Sequence, residues 1–351
     1  MSTLLIPCAG RSTRFPGMRP KWLLRYPDGK FMLEKAVEGL DLNFFDKVII
    51  TIVKEHAEKF SADKLLEKIF HFKTSEKFQL CVLDNFTSCQ AETVDKTLEL
   101  CKVKGSFAVK DSDNYIKVRI IPTPPLVGNY VTGVNIETFP REIRRLNSKS
   151  FITVNDQGIV LDIIEKKIKS AHISVGLYGF ADAEIFHSAY CHLNSTSDSY
   201  HEIYLSHVIA YLIGTKQAIY KYVEAEDYED WGTIQDWNIV LQKKSSVIIF
   251  ADELLFYFDE ENFITPINEN LHAVKKLYDE GAQIILMTSL ADEFKNLIRE
   301  ELEKVGVNVH EIITNCYRSH RQLINASTPA IPYPVGSVIN VDESKRLANY
   351  L

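Results

Sequence analysis

Leu4-Leu5-Ile6 is an apolar run that ends almost at once in a loop of small side chains, Pro7-Cys8-Ala9-Gly10-Arg11-Ser12-Thr13-Arg14-Phe15, with Pro20-Lys21 just beyond. This junction restricts the fold more than any other stretch. A buried strand that stops at a glycine-containing loop edged with basic residues is how an α/β protein builds a phosphate cradle. Ala9 and Gly10 let the backbone approach a phosphate closely, Ser12 and Thr13 add hydroxyl donors, and Arg11, Arg14 and Lys21 bring positive charge. On spacing alone, an ordinary strand-to-helix connection with surface basic residues is an equal reading, because short glycine-containing loops are common.

The following segments extend the α/β pattern. Met32 to Val37 has helical spacing, Val48 to Val53 is a continuous β-branched run suited to a strand covered on both faces, and Lys54 to Phe70 returns to helical periodicity. Phe78 to Leu83 reads as a strand, and Ser88 as the N-cap of a helix running to about Leu100. Such alternation predicts a mixed, mostly parallel α/β sheet with its ligand crevice at the carboxyl ends of the strands. Phe107 to Lys110 is another strand, ending in Asp111-Ser112-Asp113-Asn114. Carboxylates at the tip of a buried strand need a positive partner, for which a divalent cation is suited. Asp111 reads as a solvated loop carboxylate. Phe151 to Val154, Asn155-Asp156-Gln157-Gly158 and Ile159 to Ile164 form a strand, turn, strand pattern.

At 351 residues the chain suits two domains, and the polar stretch Gln242 to Ser246 predicts domains of 1–243 and 244–351. In the second, strands are expected at Val247–Phe250, Gln283–Met287, Val309–Thr314 and Ser337–Val341, with helices at 269–280 and 293–305. A formal net charge of -7 leaves no basic footprint for nucleic acid. No secretory leader or bilayer-spanning run is apparent, so a cytoplasmic protein without membrane insertion is expected. The six cysteines lack CxxC spacing, which predicts buried free thiols rather than a disulfide framework or zinc site.

Cys8-Ala9-Gly10-Arg11-Ser12-Thr13-Arg14 followed by Pro20-Lys21 resembles the signature loop of the nucleotidyltransferases that make nucleotide sugars and CDP-choline, with Ser12 at the usual second glycine. The resemblance runs through roughly the first 240 residues and implies a GT-A-like sheet. It places Arg14 and Lys21 at the triphosphate, and Ala9, Gly10, Arg11, Ser12, Thr13, Gln90 and Glu92 around the nucleotide. Asp113, with Ser112 replacing a glycine, and Asp230, in a stretch similar to Asp-x-Gly-Thr, become the Mg2+ ligands. Glu165-Lys166-Lys167 is similar to a Glu-Lys-Pro element, which gives Lys166 the acceptor phosphate and puts Glu165 in the acceptor pocket with Gly176.

The second domain resembles a haloacid-dehalogenase-like phosphatase, a smaller Rossmann-like fold, with its chemistry missing. Ala251 takes the position of the aspartate nucleophile, Thr288 fits the second motif, and Ala326 replaces a metal-binding aspartate. The implied function is Mg2+-dependent transfer of NMP, with CTP the favoured donor, to a sugar or polyol phosphate with release of pyrophosphate, for capsule or surface polysaccharide precursors. The alternative is a nucleotide-binding sensor or scaffold. A homo-oligomer is compatible with either.

Overall fold

In the computed structural model, which describes residues 2–118, 128–196, 202–243, 245–258, 264–324, 336–342 and 346–350, the opening apolar run is strand β1 (Thr3–Pro7). Leu5 joins one hydrophobic cluster while Leu4 and Ile6 join another, so successive side chains are buried on opposite faces of one sheet. β2 (Lys47–Val53) repeats this, with Ile49 and Val53 on one side and Val48, Ile50 and Ile52 on the other. This is why both runs are continuously apolar instead of alternating.

The chain divides into two units, Met1–Ile234 and Gln235–Leu351. In the first, β3 (Phe78–Leu83), β2, β1 and β4 (Phe107–Lys110) pair in parallel. The sheet continues as a mixed arrangement through β9 (His172–Phe180), β6 (Tyr130–Asn135), β10 (Tyr220–Asp230), β8 (Ile159–Glu165) and β7 (Ser150–Val154), while β5 (Asn114–Val118) pairs with β10. The helices are α1 (Met32–Glu38), α2 (Lys54–Phe60), α3 (Ala62–Phe70), α4 (Gln90–Leu100), α5 (Ala183–Thr196) and α6 (Leu205–Gly214). α4, α5 and α6 bury Val94, Phe186 and Val208 in the Leu5 cluster, and α1 and α3 bury Leu33 and Leu66 in the Leu4 cluster.

Two local readings change. The segment Lys54 to Phe70 is broken at Ser61, whose φ of 52° terminates α2, with its N–H donating to the His56 carbonyl. α4 is capped by Cys89, whose Sγ accepts the Glu92 N–H, and not by Ser88. Ser88 has turned its own N–H and hydroxyl to the Glu92 carboxylate, both at 2.6 Å.

The second unit holds α7 (Ile234–Lys243, from its second residue), β11 (Ser246–Phe250), β12 (Phe256–Phe258), β13 (Ile264–Pro266), α8 (Asn268–Asp279), β14 (Gln283–Met287), α9 (Lys295–Lys304) and β15 (Glu311–Ile313). β11, β14 and β15 form a parallel sheet and β12 with β13 a hairpin. Ile249, Leu271, Ile284, Leu286, Ile298 and Leu302 share its core. Residues 336–342 form no strand, contrary to the expectation for Ser337–Val341. Ala326 lies outside the described residues.

Candidate active site

A cleft of about 740 Å³ opens at the carboxyl ends of β1 and β4, lined also from β8, β9, β10 and the starts of α4 and α6. Gly10, Arg11, Ser12, Thr13, Arg14 and Lys21 line it. Gly10 has ordinary φ, and a Cβ there would meet nothing within 4 Å, so internal packing does not require the glycine. What its missing side chain keeps open is the cleft. Ser12 adopts φ of 52°, the left-handed region, at a cost of roughly 1 kcal/mol for a residue with a Cβ. Its Oγ accepts the Lys21 N–H at 3.1 Å and its carbonyl accepts the Phe15 N–H at 2.8 Å, which offsets that cost. The loop thus keeps a glycine-like conformation with serine in place.

Acidic groups meet the loop from the far side. Lys21 Nζ lies 2.5 Å from Asp113 Oδ2. Burial opposes ionisation of Asp113, but Lys21, Arg14 and Lys110 outweigh it and hold the carboxyl below its ordinary range. The antiparallel pairing of β5 with β10 sets Asp230 opposite Asn114, one residue from Asp113. The Trp231 N–H donates to the Asp113 carbonyl at 2.9 Å, locking the two segments together. A Cβ on Gly232 would stand 3.1 Å from Asp230 Oδ1 and 3.4 Å from Asp113 Oδ2, so both carboxylates border one point. Two converging carboxylates with room for waters and phosphate oxygens suit Mg2+, a hard cation that takes only oxygen ligands.

Beneath them Lys110 is fully buried at the end of β4. Its Nζ donates to the carbonyls of Asp111 and Asn114, at 2.8 and 3.0 Å, and to Asn114 Oδ1. Burial lowers its pKa to about 8, against the pull of Asp111 and Asp113. Asp111 is half-buried, not the solvated carboxylate expected, and accepts from Gln90 Nε2 at 2.6 Å. Gly176, at φ of 85°, is a glycine of necessity, because a Cβ would collide with Asn114 Nδ2 and Asp111 Oδ2.

Burial and the charge of Asp113 raise the Asp111 pKa from 3.8 to about 6. The folded chain therefore binds the extra proton in that window, and stability falls as pH rises through it. Asp111→Asn lacks this titration. Its urea midpoint relative to wild type should improve as pH rises from 3.8 to about 6, and a gap that stays constant with pH would assign the proton elsewhere.

On the opposite wall, Glu165 accepts from the Ser206 hydroxyl at 2.6 Å and from Ser150. Lys166 is exposed, with φ of 54°, and its Nζ sits 4.2 Å from the Tyr204 ring centroid and bonds the Tyr204 hydroxyl. Two further residues were not singled out from the sequence besides Lys110. Lys149 Nζ bonds Asp230 Oδ2 and, at 3.0 Å, the Tyr228 hydroxyl, while Tyr204 bears on Lys166. Lys149 sits in a polar stretch with no local signal; Lys110 ends an apolar strand beside an acid, which is a weak one. Of the residues expected around a nucleotide, Glu92 does not line the cleft and is occupied by Ser88 and Lys96, and Ala9 is buried behind the loop. Gln90 lines the cleft, and Arg11 stacks its guanidinium 4.7 Å from the Phe86 ring centroid.

Among solved structures, the nucleoside-diphosphate-sugar pyrophosphorylase from Vibrio cholerae RC9 superposes with a TM-score of 0.56 at 20% identity, covering 68% of this chain and 99% of that one. A UDP-glucose pyrophosphorylase complexed with UDP-glucose gives 0.51 at 15% identity over 68% and 97%. The inositol-1-phosphate CTP transferase from T. maritima gives 0.50 at 13% identity over 67% and 90%. Over about two thirds of its length the chain has the fold of these structures. The coverage matches the share of the chain in the first unit, and at these identities the likeness is one of fold. No protein-family profile and no curated sequence matches the chain. Among the described residues, no helix is long and apolar enough to cross a membrane.

Proposed function

We propose that the first unit is a Mg2+-dependent nucleotidyltransferase that moves NMP from an NTP to a phosphorylated small molecule and releases pyrophosphate. The observation that carries this reading is the approach of Asp113 and Asp230 to one point beside Lys21, Arg14 and the Gly10 loop. Magnesium held by Asp113 and Asp230 supplies electrophilic charge to the triphosphate. The Gly10 backbone, Arg14 and Lys21 bind and orient the triphosphate, and Lys166 aims the acceptor phosphate at the α-phosphorus. Glu165, braced by Ser150 and Ser206, accepts from hydroxyls of the acceptor beside Gly176. An acceptor phosphate oxygen forms the new bond to the α-phosphorus as the bond to the bridging oxygen breaks. No side chain need take a proton, and positioning and charge stabilisation do the chemistry.

CTP is our choice of donor and a sugar or polyol phosphate of acceptor, in the supply of surface-polysaccharide precursors. Inositol-1-phosphate, named for the T. maritima structure, belongs to that acceptor class. The test is pyrophosphate release across four NTPs against sugar phosphates, polyol phosphates and phosphocholine. NTP binding with no release under any pairing would favour a sensor or scaffold.

For the second unit we propose a phosphatase-like domain without phosphatase activity. Ala251 is fully buried, and its methyl group offers no lone pair for attack on phosphorus. The adjacent Asp252 is also buried, accepting from the Thr288 hydroxyl at 2.5 Å and from the Ser289 N–H and hydroxyl at 3.0 and 2.5 Å. The full chain is expected to release no phosphate from a phosphomonoester panel with Mg2+. Release abolished by substitutions in residues 245–351 would overturn this.

A further inference from the structure

α4 and α5 pack together, and at their surface Asp95, His187 and Cys191 each present a donor atom within 4.8 Å of the others. None of the three lines the cleft. His187 and Cys191 are four residues apart on α5 and so share one helix face. Asp95 reaches them from α4 with its side chain only 12% exposed, its Oδ1 2.7 Å from His187 Nδ1. Cys191 Sγ lies 3.6 Å from His187 Nε2, and the S···N edge of a tetrahedral zinc site has about that length, roughly 3.6 Å. A carboxylate that fixes one imidazole nitrogen leaves the other as a metal donor, the arrangement found behind metal-binding histidines. Glu92 and Glu99 add negative charge around Asp95. The sequence pattern predicts buried free thiols and no zinc site; Cys191 is instead exposed, and the helix turn pairs it with His187.

We propose that His187 Nε2 and Cys191 Sγ, with Asp95 holding the His187 Nδ1–H, form a surface site for a borderline-soft divalent cation of the zinc class, with solvent completing its coordination. The nitrogen and sulfur donors select against Mg2+ and Ca2+. Binding releases the Cys191 thiol proton to solvent and changes no oxidation state.

The full chain, reduced and stripped of metal, should be titrated with Co2+ while thiolate-to-cobalt charge-transfer absorption is followed. One equivalent should bind with that band. Cys191→Ser should abolish it, His187→Ala should weaken binding at least about tenfold, Asp95→Asn by about 10- to 100-fold, and Cys316→Ser should change nothing. Should a variant fail to fold by circular dichroism, Zn2+ protection of Cys191 from alkylation in the wild-type chain, read by mass spectrometry, replaces it. The proposal is overturned by absence of the band at large excess of Co2+, by a band that survives Cys191→Ser, by unchanged affinity in His187→Ala, or by alkylation of Cys191 that Zn2+ does not slow.

Discussion

Asp230→Asn and Lys21→Ala are each expected to lower turnover at least about a hundredfold, the scale of losing one preorganised charge at a reacting phosphate. The asparagine keeps the size of the side chain and an oxygen for the Gly232 N–H, which Asp230 Oδ1 accepts at 3.0 Å, so the local backbone should hold. What is lost is the charge that faces Asp113 and that Lys149 neutralises. Lys21 is a quarter exposed, and truncating it leaves no unpaired donor in the core. Its absence releases Asp113 from its partner and removes one of the cations that line the cleft with the Gly10 loop. Asp113→Ala should likewise weaken metal-dependent NTP binding. Initial rates and thermal melts should be measured together: a folded variant that turns over like wild type would place the triphosphate elsewhere.

Lys110→Met is expected to destabilise the first unit by about 3 kcal/mol or more, the scale of breaking a buried charge network by removing one partner. Methionine fills the volume but donates nothing. The carbonyls of Asp111 and Asn114 and the Asn114 side chain then lose a shared donor inside the fold. The turn that presents Asp113 loses its anchor, so NTP binding should fall with stability. Lys117→Met on β5 is the control, since that lysine is exposed and its nearest carboxylate, on Glu226, is 3.6 Å away; it should shift stability by no more than about 0.5 kcal/mol. Equal urea midpoints for the two variants would show that Lys110 does not hold the acidic turn.

Much of the framework was legible because its signals are local. β1, β2, β3, β4, β7, β8 and β14 lie where apolar runs and turn residues put them, and Asn155 closes the β7–β8 turn by accepting the Gln157 and Ile159 N–H groups on its side chain. The break at Ser61 was not legible. A left-handed residue there needs no glycine or proline, and the burial of Ala62, Leu66 and Phe70 preserves a helical period beyond it.

By itself the sequence determined the alternating α/β pattern, the small-residue loop at Gly10 and the acidic tip after β4, because each depends on neighbours along the chain. Only the tertiary structure decided that Asp230 stands beside Asp113, through the β5–β10 register, and that Glu92 turns to Ser88 instead of the cleft. It also decided that Lys110 is the buried anchor of the acidic turn and that Lys149 faces Asp230. A lysine carries the same label in a sequence whether water or protein surrounds its ammonium. Its role is set by desolvation and by partners that pairing across the sheet brings near, and neither is a property of adjacent residues.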